Sequence, residues 1–224
     1  MNSRSDYPSE VEQQVNHSIE MHLSGEYTYH SLSSLCLSDS VASPEFSEFF
    51  RFCGCRMRRA ADLLRGYQTT RGGKYPSNES SSSGLKSLVQ IPNPSQYESK
   101  SSEFIGHLID LAIEMERQTE HQLRSLCHQS SVSQDSSTPC FVQKRLLKSQ
   151  RFAIKSLVMH QTGLRQSQDI SLYRSIVMHP LISKVNSCTS HSESSFQTSG
   201  PRRSHESTLC SCLLSHLIVS SLSN

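Results

Sequence analysis

Cysteine is the residue type with the most latent chemistry in this chain of 224 residues. Eight thiols lie at Cys36, Cys53, Cys55, Cys127, Cys140, Cys188, Cys210 and Cys212. A structural zinc site would call for paired Cys-x-x-Cys spacing, and the sequence has none. Cys53 and Cys55 lie two apart, and on a helix such residues do not share a face, so they make a poor zinc half-site. The expectation is a set of independent, reduced thiols in a compartment where stable disulfides are rare. Asn16-His17-Ser18 and Asn78-Glu79-Ser80 match the glycosylation acceptor pattern but should stay unmodified without a secretory route.

Composition narrows the class. The length suits one domain of ordinary size. Hydrophobic residues make up 34% and charged residues 19% of the chain, both low for a globular protein, and serine fills the gap. A net charge of +2 gives no reason to expect a nucleic-acid or membrane partner. No apolar run reaches the roughly 18–20 residues that span a bilayer. Met1 to Val15 is polar and lacks the apolar centre of a signal peptide, and Leu213 to Leu222 is short and broken by serine. A cytoplasmic protein is expected.

Four segments carry helical periodicity. In the first, Val11, Val15, Ile19 and Leu23 recur every four residues, continued by Tyr27, Leu32 and Leu35. The second spans Pro44 to Thr70, with Phe46, Phe49, Phe50, Cys53, Met57, Ala60 and Leu64 in steps of three and four. Ser43 is its expected N-cap, Pro44 and Glu45 suit its first turn, and Gly72-Gly73 stops it. The third spans Ser102 to Leu126 and the fourth Pro139 to Gly163, with a weaker segment from Ile170 to Met178 that Pro180 should stop. Short links, Ser38–Ser43 and Ser130–Thr138, favour antiparallel neighbours, while a serine-rich segment at 72–100 is long enough to run the length of a bundle.

Several ordered motifs carry a family likeness. Asp6-Tyr7, Val11-Glu12-Gln13-Gln14-Val15-Asn16 and Glu26-Tyr27-Thr28-Tyr29-His30-Ser31-Leu32 fall in the first helix. Gln68-Thr69-Thr70-Arg71-Gly72-Gly73-Lys74 closes the second, Leu111-Ala112-Ile113-Glu114-Met115-Glu116 centres the third, and Gln150-Arg151-Phe152-Ala153-Ile154-Lys155 centres the fourth. In this order they resemble a ferritin subunit of the eukaryotic heavy- and light-chain type, over residues 6–181. Two helical hairpins joined by one long crossover is the connectivity for which ferritin-like bundles are the standard example. The resemblance implies an all-α, ferritin-like four-helix bundle with a short fifth helix and an enlarged crossover loop. Residues 182–224 resemble nothing in the family and are expected to form a disordered tail.

The resemblance also implies iron as the bound metal, though weakly held here. Of the family's oxidation site, Tyr29, Glu116 and Gln150 keep their residue types, His22 stands where a glutamate belongs, and Met57 and Ala60 replace the Glu-x-x-His pair. Thioethers suit copper(I) better than iron, alanine donates nothing, and one carboxylate cannot neutralise two irons. Glu116 and Gln150 could instead bond to each other, to His22 or to water, and Tyr29 could be a core aromatic with a satisfied hydroxyl. The mineral-nucleating stretch of the family reads here as Arg51, Arg56, Arg58 and Arg59, with Asp62 as the only nearby acid, and should repel cations. The iron entry pore falls at Cys127, Cys140 and Gln143, which have lost its acidic field. The implied function is an iron-storage subunit without its own ferroxidase activity, joined with other ferritin subunits in a twenty-four-subunit shell. The alternative is a ferritin-like interaction protein that no longer handles iron.

Overall fold

The computed structural model describes residues 6–75, 86–93, 101–167 and 169–183. Among them every regular element is helical. Helices α1 (Ser9–Cys36) and α2 (Pro44–Thr70) form a hairpin. Its antiparallel sense is fixed by cross-bonds that count in opposite directions: Ser33 to Ser47 at 2.9 Å, Glu26 to Arg58 at 3.2 Å, and Tyr7 to Gln68. Helix α3 (Ser101–Val132) leads through a short corner into α4 (Ser137–Val142), a π-helical segment (Gln143–Leu147) and α5 (Lys148–Gln166). A final turn, α6 (Ile170–Tyr173), runs into a second π-helical segment (Arg174–Met178). α1 packs against α2 and α3, and α3 packs against α5, which makes the expected all-α, ferritin-like bundle.

The helix ends show which local expectations hold. Pro44 opens α2 and Glu45 sits in its first turn, where a carboxylate favours the positive helix end. Ser43 does not cap: its hydroxyl donates back to the Val41 carbonyl at 3.1 Å instead of accepting from the first turn. Its φ of −120° is extended enough, but the tight turn at residues 37–43 claims the side chain first. The Gly72-Gly73 stop is real. Gly72 takes a left-handed φ of 72°, and a Cβ on Gly73 would lie 2.8 Å from the Tyr7 ring.

Two other expectations change. The fourth helix is not uniform, because the π segment widens it at Gln143–Leu147. Pro180 does not end the last helix, which continues to residue 183. The wider π turn immediately before it relaxes the clash between a proline ring and the carbonyl one turn back. Of the crossover, residues 86–93 lie along the bundle. Leu88 donates its backbone N–H to Thr28 Oγ1 at 2.9 Å, and Leu88, Val89 and Ile91 cover apolar core residues. Residues 76–85 and 94–100 of the loop and the tail from 184 lie outside the described residues.

The core divides in two. One apolar cluster gathers around Phe46, Phe49, Phe50, Phe104 and Leu108, the other around Val11, Val15, Ile19, Leu64 and Leu123. Between them the sequence places buried polar groups on all four long elements: Ser18 and His22, Arg56, Glu116 and Thr119, and Gln150. That polar layer is the candidate site.

Candidate functional site

Each member of the layer reaches it by helical spacing. Tyr29 stands two turns after His22 on α1, so both face inward. Arg56 lies one turn before Ala60 and one turn after Cys53 on the inner stripe of α2, and Gln150 lies in the first turn of α5. Glu116 is fully buried near the middle of α3.

The Glu116 carboxylate is the hub. It accepts hydrogen bonds from the Tyr29 hydroxyl, from Arg56 Nη2 and from Gln150 Nε2. Gln150 Nε2 also donates to the Glu116 backbone carbonyl at 2.8 Å, and Gln150 Oε1 accepts from Arg56 Nη1 at 3.1 Å. The three side chains thus close a ring of bonds, and Tyr29 caps it. Only 7% of the Arg56 side chain and none of Glu116 reaches solvent, so this is a buried ion pair of the kind that must be satisfied on both sides.

The electrostatics follow from that pair. Burial would discharge Arg56, but the Glu116 charge, the neighbouring Tyr29 and the bond to Glu116 hold its proton more tightly than usual. Burial, reinforced by Glu116, raises the Tyr29 hydroxyl well above the usual phenol range. Burial also lifts the Cys53 thiol to about 12, so it stays protonated. His22 goes the other way: burial lowers it to about 4. It is neutral near pH 7, with Nδ1–H donating to the Ser18 carbonyl at 2.7 Å.

The four candidate ligands are therefore brought together unequally. Tyr29, Glu116 and Gln150 join directly, whereas His22 shares the layer but bonds within its own helix. Met57 and Ala60 belong to the apolar clusters, and the Met57 side chain lies over Gly25, whose added Cβ would meet it at 3.1 Å. A two-iron centre needs several anionic oxygens. Here the one carboxylate of the layer is already neutralised by a guanidinium. Among the described residues no group of three or more His, Cys, Asp or Glu is placed to hold a metal ion. With that carboxylate paired, the layer lacks the several anionic oxygens of a two-iron centre.

Arg56 is the residue whose place the sequence reading misses, since that reading groups it with Arg51, Arg58 and Arg59 as one cation-repelling stretch and does not assign it to the layer. The signal was present. Phe49, Cys53, Arg56 and Ala60 follow one another by four, three and four residues, the same stripe that predicts the helix's buried face. The remaining arginines are also less isolated than expected. Arg51 pairs with Glu48, and Arg58 pairs with Glu26 of α1 at 3.2 Å as well as with Asp62 at 3.8 Å.

Of the pore candidates, Cys127 is half-buried, while Cys140 and Gln143 are exposed. Cys127 and Gln143 line one groove, of which Cys140 is not part. Burial raises the Cys127 thiol against the opposing pull of Arg124, which keeps it protonated. The five cysteines at 36, 53, 55, 127 and 140 are all free thiols.

Curated relatives of the chain are ferritins. A chloroplastic ferritin of Phaseolus vulgaris is 27% identical over 163 residues, covering 73% of this chain and 60% of the relative. A chloroplastic ferritin of Malus baccata var. xiaojinensis is 25% identical over 164 residues, covering 73% of this chain and 62% of the relative. Ferritin light chain 1 of Mus musculus is 29% identical over 163 residues, covering 73% of this chain and 81% of the relative. The match thus spans about 60% of the length of the plant relatives. No family model matches the chain.

Proposed function

We propose that this chain, a divergent relative of the ferritins, is a non-oxidising subunit of a ferritin-type iron-storage shell. The observation that carries the reading is the Arg56 guanidinium seated on Glu116 in the middle of the bundle. In a metal-using bundle, iron would supply the positive charge that makes a buried carboxylate tolerable. Here a side chain supplies it permanently, because guanidinium does not lose its proton in proteins. Gln150 and Tyr29 complete the coordination of Glu116 by hydrogen bonding, so the bundle closes with no ion in the layer.

Under this reading iron is cargo, oxidised by competent subunits in the same shell and held only weakly by this chain. Cytoplasmic placement accompanies the reading. Among the described residues no helix is long and apolar enough to cross a membrane.

The test has two arms. Mixed with ferrous iron in air, the pure chain should show no fast oxidation phase by stopped-flow absorbance. Co-refolded with an oxidation-competent ferritin subunit, it should enter the same particle and be recovered with the iron core. A fast phase from the chain alone would sink the non-oxidising assignment. Exclusion from the mixed particle would sink the shell assignment and leave the ferritin-like interaction protein.

A further inference from the structure

Lys148, Arg151 and Lys155 follow one another by three and four residues along α5, so they share one face, with Phe152 beside them. Opposite, α3 presents Arg124 and Cys127. The π-helical segment closes one end with its first and last residues, Gln143 and Leu147. Together these residues line a groove of about 750 Å³, within the range of roughly 300–1,000 Å³ typical of small-molecule sites. π-Helical turns recur at functional sites because the extra residue re-aims its neighbours.

The charge of the groove is lopsided. Glu120 Oε1 accepts from Arg124 at 2.7 Å and from Arg151 at 3.4 Å, which ties α3 to α5 and fixes both guanidiniums. Lys148 and Lys155 have no carboxylate within ion-pair reach among the described residues. Four cations therefore face one carboxylate, in a chain whose net charge is only +2. The positive charge is concentrated rather than spread, and a concave wall focuses it. Phe152 and Leu147 add an apolar wall beside the cations.

We propose that this groove binds a small phosphorylated anion with an apolar or aromatic body. Lys148, Arg151 and Lys155 take the phosphate oxygens, the guanidinium forks of Arg124 and Arg151 favouring paired oxygens over single charges. Phe152 and Leu147 take the body. None of the groove's residues belongs to the layer around Glu116, although Cys127 and Gln143 are also the residues that the family resemblance assigns to a shell pore.

The test is calorimetric titration of the full chain at low salt with ATP, inorganic tripolyphosphate and a thymidine oligonucleotide. ATP should bind saturably, one per chain, and about fivefold or more tighter than tripolyphosphate, a gap of roughly 1 kcal/mol that the apolar wall supplies. Lys148→Glu and Lys155→Glu should each weaken ATP by about tenfold or more, while Lys74→Glu, after α2, should change it less than about twofold. Both lysines are exposed, so unchanged circular dichroism is expected in the variants. Absence of ATP binding, or binding that both variants leave intact, would overturn the site. Equal binding of tripolyphosphate would overturn the apolar-body assignment, and tighter, lysine-dependent binding of the oligonucleotide would overturn the small-ligand assignment.

Discussion

Two arginines, one within α2 and one just past its end, each hold a carboxylate from elsewhere in the chain, and they do so at different depths. Arg71, just past the helix end, pairs with Asp135 at 3.1 Å and keeps 15% of its side chain in solvent. It donates to the Asp6 carbonyl at 2.9 Å and to the Tyr67 hydroxyl at 2.6 Å, and it stacks over the Tyr7 ring at 4.6 Å. Asp135 has further donors of its own, the Ser137 N–H at 3.0 Å and the Thr138 hydroxyl. This knot ties the chain start, the end of α2 and the α3–α4 corner together. Arg56 sits inside the bundle, and its carboxylate has Tyr29 and Gln150 as its only other partners among the described side chains. Arg56 Nε has no hydrogen-bond partner among the described residues. The knot is a joint with redundant bonds, whereas the layer is a site in which one cation does the neutralising. Removing a single group should therefore matter more in the layer.

The sharpest test is Arg56→Leu. It strips Glu116 of its counter-charge in a dry interior, and breaking one side of a buried pair costs about 3–5 kcal/mol. Urea unfolding at pH 7 should show that loss as a lower midpoint with little change in slope. The double variant Arg56→Leu, Glu116→Met removes both charges and should recover most of it, because apolar replacement of a whole buried pair is often near neutral. A cost under about 1 kcal/mol for the single variant would show that Arg56 is not what neutralises Glu116, and the contrast with the knot would collapse.

The helix end beneath the knot was legible in the sequence, whereas the Arg71–Asp135 bonds of the knot and the charge within the layer were not, for a physical reason. Gln68, Arg71, Gly72 and Gly73 act through local geometry: a helix end, a left-handed glycine and a glycine pressed against Tyr7. Such demands follow from residue type and spacing, and so do the bounds of α2, which form as the periodicity predicts. The option of Glu116 and Gln150 bonding to each other could also be read from the sequence, whereas the bond from Tyr29 to Glu116 could not. What the sequence hid was the identity of the charge between them. A lone arginine beside three others reads as a solvated face, and only the register of the stripe from Phe49 to Ala60 marks it as inward. The π segment was hidden for a similar reason, since its i→i+5 bonding leaves the apolar pattern around Leu146 and Leu147 unchanged.

Acid should separate the two regions. His22, at about 4 in the folded chain, lies below the ordinary histidine value of 6.5. The unfolded chain therefore binds the extra proton first, and the stability that neutral His22 contributes is complete above about pH 6.5 and is lost as pH falls towards 4. The loss is up to about 3 kcal/mol at 1.36 kcal/mol per unit. Asp135 behaves differently. Burial would raise it, but the bonds from Thr138, Ser137 and Arg71 outweigh that and lower it below 3.8. Its contribution is present above about pH 3.8 and disappears only below it. His160, also at about 4 through burial, shares the first window, so the layer's part is read from His22→Gln. That variant should flatten the slope of stability between pH 6.5 and 4 by about half and leave the step below pH 4 in place. An unchanged slope would remove His22 from the account of the layer.

Arg71→Ala is the smallest of these effects and the one that sharpens the comparison. The lost bonds run to a charged partner and so carry about 1–3 kcal/mol together. Asp135 keeps Ser137 and Thr138 as donors, much as Glu116 would keep Tyr29 and Gln150, but the corner around Asp135 lies at the surface whereas Glu116 lies within the bundle. Arg71→Lys should recover less than half of the loss. An ammonium keeps the charge beside Asp135, but it cannot span Asp135, the Asp6 carbonyl and the Tyr67 hydroxyl at once, or lie flat on the Tyr7 ring. Full recovery by lysine would mean that charge alone holds the knot. In that case the two arginines would differ only in depth, and not in the redundancy of the bonds around them.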